Sequence, residues 1–487
     1  MAQPAAQSPT RRGVNLSPGL ARQLDAAEQA LDAGHHAEAR AQLERVLDIW
    51  PDATDARRLL GVTWQQSGDA GRACAELQRV LAADPGDAQA WLALGLAQAD
   101  LQAWTEAEAS FDQASRLAPE LAQAWYHRAR SLLAQDRPGG AVTALYRALD
   151  HAPDAIPARL LLAEAEARLG AGAQAAASLR EVLAREPDRV AAWFALARLP
   201  GVRFDAADLD RVRGVLHGPR LRPDTRLPLG FVQAWIHEDL DDWHEAYRDL
   251  RKANAAMRRH RVWQAPAFHA RVEAMRQAFA RRPASAAAPA ASGVVFVTGL
   301  AGVGLERVGD LLAAHPEAER GREDDLRTIL IAESQRRQQP LVAWATEASA
   351  ADWERLGAAY LARGGSGRAK PWRIDVSAAN WLFLGAALAM LPGARVIDVR
   401  RTALETCLGA WRGWFEDSHL FSYSLDDTAA CWHDYLRLMR HWRARHAGRV
   451  LEFPAGALDR GGEEPVRRLL NWIGMPVAPE CLRALAF

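Results

Sequence analysis

Small and apolar residues recur through the first half of the chain at a fixed interval of 34 positions. Two such series keep this interval, and a series of prolines keeps it as well. The members are Ala39, Ala73, Ala107, Ala141 and Ala175; Val46, Val80, Ala114, Ala148 and Val182; and Pro51, Pro85, Pro119, Pro153 and Pro187. A fixed period of this length indicates stacked supersecondary units. The pattern therefore predicts an array of helix pairs, each of which buries its apolar face against its neighbours.

The second half shows a different pattern, in which short apolar runs alternate with longer stretches of helical spacing. The runs VVFVTGL, ARVIDVRR and RVLEFPA predict buried strands that begin at residues 294, 394 and 449. Helices are expected up to about His315 and across residues 324–361. Strands that alternate with helices favour a parallel sheet covered on both faces, with any ligand at the carboxyl ends of the strands. The predicted fold is an N-terminal α-solenoid followed by an α/β domain with a parallel sheet.

Shifts in composition divide the chain into four predicted segments. These are a disordered N-terminus (residues 1–19), the helical array (20–280), a linker (281–293) and the α/β domain (294–487). The linker is assigned from its Pro, Ala and Ser content, RRPASAAAPAASG. Before it, Pro200-Gly201 interrupts a sixth first helix, and helical patterns at residues 226–260 and around 270–279 close the array.

The overall charge is balanced, with 60 basic and 60 acidic residues. Bulk electrostatics therefore gives no indication of a nucleic-acid partner or of an anionic membrane surface. Every apolar run is shorter than the ~18 residues that a membrane helix needs, and the first residues contain no signal-peptide apolar segment. We expect a cytoplasmic protein without membrane insertion.

Metal and disulfide chemistry are not indicated. The four cysteines lie far apart in the sequence without C-x-x-C spacing. His237 and His244 have no third ligand and do not follow the H-E-x-x-H spacing, so we expect them to be surface histidines. No metal site is predicted.

A glycine-rich turn with Gly299, Gly302 and Gly304 connects the first predicted strand to the helix after it. Such a turn can direct backbone N–H groups and the positive end of the helix dipole toward one point, which suits a phosphate group. A tight turn between a strand and a helix also uses glycine for steric reasons alone. Both interpretations are open at this stage.

The 34-residue period resembles the tetratricopeptide repeat, a helix-turn-helix unit. Residues 88–121 match the family pattern most fully, at Trp91, Leu94, Gly95, Ala107, Phe111, Ala114 and Pro119. The resemblance implies a groove lined by the first helices, suited to an extended peptide or a partner helix. The residues expected to face this groove are Arg58, Val62, Gln65, Leu92, Tyr126, Arg130 and Glu164. A solvated face is the alternative interpretation of the charged members.

The second half resembles the sulfotransferase fold, and the order of segments resembles the bacterial repeat-containing sulfotransferases. The matching stretches are VFVTGL with its glycine loop and LLAAHP, NWLFLGAALAMLPGARVIDVRRTALETCLGAW, HDYLRLMRHWRARHAGRVLEF, and EEPVRRLLNWIGMPVAPECL. The resemblance implies use of 3′-phosphoadenosine 5′-phosphosulfate. Members of the family bind its 5′-phosphosulfate on a PRSGTT loop, and its 3′-phosphate with an arginine and a serine eight residues apart.

The glycine loop departs from that family pattern. PRSGTT falls on residues 301–306, of which only Gly304 is retained. The basic residue is replaced by Gly302, and the hydroxyl pair by Leu305 and Glu306. A carboxylate at a helix N-terminus satisfies the dipole itself and repels a phosphate.

Other cofactor positions are changed as well. Arg401 matches the arginine for the 3′-phosphate, but the serine position holds Gly409. The family's Asp-Lys pair appears as Asp375 and Val376, with the following Asn380 kept. The resemblance therefore implies a cofactor site without its lysine and without its hydroxyls.

Two functions follow from these patterns. In the first, the repeats bind a protein or peptide, and the α/β domain no longer binds a cofactor. In the second, the domain transfers a sulfuryl group to a hydroxyl of a protein or glycan, with Glu323 as catalytic base and with Gly299, Gly302, Gly304 and Arg401 at the cofactor. A surface carboxylate is the alternative interpretation of Glu323. A P-loop nucleotidase is disfavoured, because the loop lacks the Lys-Ser/Thr pair.

Overall fold

The structure is a computed structural model, and it describes residues 18–218, 221, 223–280, 293–322, 324–363, 370–416 and 418–484. The chain packs as two compact units, Met1–Arg203 and Phe204–Phe487. The expected disordered N-terminus lies outside the described residues except at its last two positions. The expected linker lies outside them except at Gly293. Both assignments stay predictions.

The first unit consists of helix pairs in tandem, as the 34-residue pattern predicts. In its described part the helices are α1 (Pro18–Asp32), α2 (His36–Ile49), α3 (Thr54–Gln66), α4 (Ala70–Ala83), α5 (Ala88–Asp100), α6 (Trp104–Leu117), α7 (Ala122–Ala134), α8 (Pro138–His151), α9 (Ile156–Arg168), α10 (Gly172–Arg185) and α11 (Val190–Ala197). Every member of the two small-residue series is at most 1% exposed. These residues lie inside the helix packing, so the predicted α-solenoid is confirmed.

One hydrogen bond recurs in each repeat and accounts for the register of the prolines. The side chain six positions after each proline donates to that proline's carbonyl oxygen, over 2.6–3.0 Å. The donors are Arg57, Trp91, Trp125, Arg159 and Trp193. Because proline has no N–H, its carbonyl is the one backbone hydrogen-bonding group that the proline itself offers. The first helix of each pair is thereby tied to the turn before it.

The second unit is built on a parallel sheet of five described strands in the order β2-β3-β1-β4-β5. Its strands are β1 (Val294–Thr298), β2 (Ala318–Arg320), β3 (Trp372–Val376), β4 (Arg395–Arg400) and β5 (Val450–Pro454). Its helices are α12 (Ala206–His217), α13 (Pro223–Asp239), α14 (Trp243–His260), α15 (Ala265–Ala278), α16 (Leu305–Ala313), α17 (Asp325–Arg337), α18 (Leu341–Trp344), α19 (Ala350–Ala362), α20 (Leu384–Met390), α21 (Ala403–Arg412), α22 (Leu425–Arg445), α23 (Gly456–Asp459), α24 (Glu464–Ile473) and α25 (Pro479–Arg483). The predicted α/β domain with a parallel sheet is confirmed.

The three strands predicted from apolar runs are β1, β4 and β5. Sequence analysis did not identify β2, which has only three residues and carries Glu319 and Arg320. It also did not identify β3, in which Arg373 and Asp375 interrupt the apolar run although both are buried. Because the residues of such a strand are not all apolar, hydrophobic patterning does not identify it.

The sequence analysis placed α13, α14 and α15 at the end of the repeat array. In the structure, these three helices pack in the second unit. Phe231 of α13 and Met257 of α14 share a buried cluster with Trp411 and Tyr423. Phe279, directly after α15, lies in the main core of the sheet unit. The side-chain amide of Asn254 in α14 donates to the Trp411 carbonyl at 3.0 Å. In terms of contacts, these helices belong to the sheet unit.

The expectation that His237 is a surface residue was wrong. Its side chain is only 3% exposed, and it lies 3.7 Å from Asp249 and 3.6 Å from Asp242. His244, in contrast, is exposed, as expected. In the described residues no group of three or more His, Cys, Asp or Glu side chains could hold a metal ion.

Candidate functional site

The natural ligand position in this sheet is the crevice between β1 and β4. The chain leaves β1 toward β2 on one side of the sheet, and leaves β4 toward β5 on the other. Ligands of open parallel sheets bind at such a reversal, outside the carboxyl ends of the strands. The glycine-rich loop, residues 299–304, follows β1, and α21 follows β4. These two segments therefore form the walls of the candidate site.

The glycine-rich loop is a tight turn with apolar side chains directed into the core. Gly302 and Gly304 have positive φ angles of 86° and 89°, the left-handed region that favours glycine. Ala301, Val303 and Leu305 between and after them are all buried. The buried Leu305 occupies one of the two hydroxyl positions of the family pattern. The steric interpretation of the glycines has direct support in this geometry.

The loop lies with its backbone directly against the backbone of α21. A Cβ atom added at Gly302 would lie 2.5 Å from the Ala410 nitrogen, and one added at Gly409 would lie 2.6 Å from the Gly302 carbonyl oxygen. Distances this short between Cβ and backbone atoms are not tolerated. The two positions at which the family pattern has a basic residue and a serine thus both require glycine in this arrangement.

A second close contact fills the position of the missing lysine. Val376, at the end of β3, is 5% exposed and packs against Gly309 of α16. A Cβ added at Gly309 would lie 2.5 Å from the Val376 Cγ2 atom. The helix therefore approaches the strand where a long cationic side chain would otherwise project.

No lysine in the described residues replaces the missing lysine of the family pattern. The sequence has two lysines, Lys252 and Lys370. Lys252 pairs with Asp249 on α14, and Lys370 donates to the carbonyl of Ala318 at the amino end of β2. Because the strands are parallel, Lys370 lies at the edge of the sheet opposite to the glycine-rich loop. Any positive charge at the crevice has to come from arginine.

Arg401 is the arginine that reaches the loop. Its Nε donates to the carbonyl of Val303 at 3.2 Å, as the side chain lies along the turn. The same guanidinium pairs with Asp459 at 2.9 Å, and Arg307 pairs with the other oxygen of Asp459 at 2.7 Å. The carboxylate of Asp459 thus takes the place that an anionic ligand of Arg401 would occupy. Arg400, by contrast, pairs with Asp398 at 2.7 Å on the β5 side.

Glu306 lies in the first turn of α16, as the sequence indicates, and its side chain is mostly exposed. It pairs with Arg320, which also pairs with Asp310 one turn further along the helix. The arginine is therefore held between two helix carboxylates and is not directed at the loop backbone. Each of these charged side chains has a partner within the protein itself.

Asp375 and Asn380, which the family pattern retains, form a buried network. The Asn380 side-chain amide donates to Asp375 at 2.8 Å, and the Tyr360 hydroxyl donates to its other oxygen at 2.5 Å. Burial raises the pKa of Asp375, against the effect of these two hydrogen bonds. The Arg373 guanidinium lies over the Tyr360 ring and pairs with Asp325. The retained residues have a structural role that does not need a cofactor.

Glu323, the predicted catalytic base, lies outside the described residues. The other predicted cofactor residues are brought together: Gly299, Gly302 and Gly304 form the loop, and Arg401 lies beside it. Sequence reasoning did not identify Arg307, three positions after Gly304, because the family pattern ends at residue 306. It did not identify Asp459, because no local spacing connects that residue with the loop. It did not identify Tyr360 for the same reason.

The predicted groove residues lie on the first helices α3, α5, α7 and α9, and most have partners in the same unit. Gln65 donates to Asp100 at 2.7 Å, and Glu164 accepts from Arg168 at 2.8 Å. Tyr126 contacts the His127 ring edge to face, and Arg130 lies 3.4 Å from His127. Arg58 pairs with Asp87 at 3.5 Å, and Val62 is partly buried. Leu92 is 6% exposed, so its assignment to the groove surface was wrong.

Searched over the described ranges, the chain contains no helix both long and apolar enough to cross a bilayer. The four cysteines form no disulfide.

Comparison with known proteins gives two kinds of match. A sequence model of the sulfotransferase family matches residues 217–479, more than half of the chain. Tetratricopeptide repeat models match residues 30–94, 92–156 and 132–199. No curated protein sequence matches this chain.

Several solved structures are similar to part of this chain. A MamA protein is 20% identical and covers 35% of this chain and 93% of its own, with a TM-score of 0.32. A thermophilic TPR protein from Thermus thermophilus is 21% identical and covers 37% of this chain and 97% of its own, with a TM-score of 0.31. A tetratricopeptide repeat protein from Parabacteroides merdae is 14% identical and covers 49% of this chain and 94% of its own, with a TM-score of 0.36.

Proposed function

The chain belongs to the sulfotransferase family, and on that premise we propose that it is a binding protein derived from an enzyme fold. Its tetratricopeptide repeats recognise a protein or peptide, and its sheet unit no longer binds the donor nucleotide. A cytoplasmic location is part of the proposal, and it is supported by four free cysteines, which suit a reducing compartment.

The observation that carries the proposal is the backbone contact between Gly302 and Gly409 at the reversal of the sheet. Restoring either family side chain in this arrangement would require the loop and α21 to move apart. The replacements at Gly302, Gly409 and Val376 are therefore compatible with one another and form one packed arrangement.

The energetic consequence for a nucleotide is large. Charge-assisted hydrogen bonds contribute about 1.5–3 kcal/mol each. Loss of the basic residue, the hydroxyls and the serine removes roughly 5–8 kcal/mol, although such contributions are not strictly additive. Micromolar binding corresponds to only about 8 kcal/mol in total. Asp459 opposes binding further, because an incoming phosphate must displace it from Arg401 and Arg307.

Calorimetric titration with 3′-phosphoadenosine 5′-phosphate, the product nucleotide, tests this half of the proposal. We expect no binding of the full chain tighter than about 1 mM, which corresponds to roughly 4 kcal/mol. Thermal denaturation with the nucleotide at saturating concentration is the second measurement, since a ligand that binds only the folded state raises the melting temperature. Micromolar affinity would contradict the proposal.

Such a result would favour the alternative, a sulfotransferase that uses 3′-phosphoadenosine 5′-phosphosulfate on a hydroxyl of a protein or glycan presented by the repeats. One observation supports this alternative. Arg401 lies within hydrogen-bond distance of the loop, at 3.2 Å from the Val303 carbonyl. Its positive charge becomes available to a ligand if its ion pair with Asp459 breaks. Positive charge at the leaving oxygen is what sulfuryl transfer requires.

The proposal that the repeats bind a protein or peptide is tested by selecting peptides from a display library against the full chain. We expect the selected peptides to lose at least about tenfold in affinity, or 1.4 kcal/mol, on the Arg130→Ala variant. Arg116→Ala is the matched control, because Arg116 is a 68% exposed arginine on the second helix α6. Equal affinities for the two variants would contradict a groove on the first helices.

A further inference from the structure

The first unit contains a cavity of about 280 Å³ that the groove does not include. It lies between the second helices α8 and α10, with α9 beneath it, and Tyr146, Glu166 and Ser178 are among its lining residues. Glu166 is two residues after Glu164, which we assigned to the groove. Two residues correspond to about 200° around a helix, so the cavity and the groove lie on opposite sides of α9.

Glu166 places a buried carboxylate in this cavity. The residue is 3% exposed, and its two oxygens accept hydrogen bonds from the Tyr146 hydroxyl at 3.1 Å and the Ser178 hydroxyl at 2.9 Å. A carboxylate can accept about four hydrogen bonds, so part of its capacity is unused. Within the described first unit no arginine or histidine forms an ion pair with it. A buried charge without a counter-ion is costly, and a bound cation would remove that cost.

The same chain shows that the hydrogen bonds do not require the charge. Gln98 and Ser110 stand 68 positions before Glu166 and Ser178, which is two repeats. There the Ser110 hydroxyl donates to the Gln98 side-chain oxygen at 2.7 Å. A neutral amide therefore serves the same packing role at the equivalent site. The negative charge of Glu166 needs another explanation.

The lining of the cavity contains more carboxylates than cations. Asp150 and Glu181 also line it, together with one cation, Arg159. Arg159 pairs with Glu181 and donates to the Pro153 carbonyl at 3.0 Å, so its charge is already compensated. The Tyr146 ring is 50% exposed and offers an aromatic face, which attracts cations further.

We propose that this cavity binds an alkylammonium or guanidinium group, supplied by a lysine or arginine side chain of a protein partner. The carboxylate of Glu166 pairs with the cation, and the Tyr146 ring covers its aliphatic stem. The site gives the repeats a second contact point, on the side of α9 away from the groove. It does not depend on whether the sheet unit binds a nucleotide.

The test is a titration of the full chain with Nα-acetyl-lysine amide and Nα-acetyl-arginine amide, followed by NMR or calorimetry. We expect saturable binding in the millimolar range, weakened at least about tenfold by Glu166→Gln. Gln98 indicates that this variant folds. Glu106→Gln, which removes an exposed carboxylate from the second helix α6, is the matched control and should bind like the unaltered chain.

The neutral analogue Nα-acetyl-norleucine amide should not bind, and putrescine serves as the free-polyamine arm. Tighter binding of putrescine than of both amino-acid amides would overturn the assignment to a protein side chain. Absence of saturable binding, or the same affinity in Glu166→Gln and Glu106→Gln, would overturn the site itself. None of these results would alter the nucleotide titration, so the two proposals fail separately.

Discussion

The Gly302→Ala variant is expected to lose about 3 kcal/mol of unfolding free energy in the sheet unit. Two effects add at this position. The φ angle of 86° is strained for any residue with a Cβ atom, at a cost of roughly 1–2 kcal/mol. The added Cβ would also lie 2.5 Å from the Ala410 nitrogen in α21, and overpacking of this kind costs about 1–3 kcal/mol. Urea denaturation followed by tryptophan fluorescence measures the change.

Gly304→Ala is the matched control for this prediction. Its φ angle of 89° is almost the same, but a Cβ there meets nothing closer than the Arg401 side chain at 3.9 Å. This variant should therefore lose only the strain contribution, roughly 1–2 kcal/mol. If both variants lose the same free energy, the loop does not lie against α21 in solution. The central support for the proposed loss of nucleotide binding would then be removed.

The second large effect is expected for Asp325→Ala. Asp325 is 3% exposed and pairs with Arg373, whose side chain is 7% exposed, and with Arg363 at 2.8 Å. Removing one partner of a buried pair leaves the other charge uncompensated, which costs about 3–5 kcal/mol. Arg373 would lose its counter-ion beneath the Tyr360 ring, next to the buried Asp375. Chemical denaturation of the variant at pH 7 checks this loss.

Asp310→Ala provides the comparison, because Asp310 pairs with Arg320 but its side chain is 68% exposed. Exposed pairs contribute about 0–1 kcal/mol, so this variant should be nearly as stable as the unaltered chain. Replacing both charges in the double variant Asp325→Leu, Arg373→Met should recover much of the stability lost by Asp325→Ala. A double variant less stable than Asp325→Ala would show that the pair contributes more than mutual neutralisation.

The repeats could be predicted in detail because each helix pair packs only against its neighbours in sequence. Local spacing therefore carries the packing information, and Ala39 and Ala175 occupy the same kind of buried site although 136 positions separate them. Leu92 was misjudged because it packs in a buried cluster with Phe111 of α6 and Ala124 of α7. The 34-residue period does not show which first-helix positions are covered by neighbouring helices.

The sheet unit was less accessible to sequence reasoning. β1 and β4 could be predicted from their β-branched apolar runs. β3 could not, because Arg373 and Asp375 interrupt its apolar run. Those charges are paired within the fold, and pairing between distant residues leaves no local pattern. α13–α15 were assigned to the repeats because an amphipathic helix has the same periodicity whichever core it covers.

The candidate site, too, could be predicted only in part. Sequence comparison identified the replaced positions Gly302, Val376 and Gly409 one at a time. It could not show that Gly302 and Gly409, which are 107 positions apart, are in contact and require each other to be glycine. Nor could it show that Asp459 pairs with Arg401.

The packing of α13–α15 determines where this protein can be divided for expression. A recombinant fragment that started at residue 294 would lack Phe231 and Met257, which share a buried cluster with Trp411 and Tyr423. It would also lack Phe279, which packs against Trp442, and the apolar surfaces of these three partners would be exposed. Such surfaces promote aggregation. A truncation at residue 204 keeps the whole buried cluster, so that position is the better start for producing the sheet unit alone.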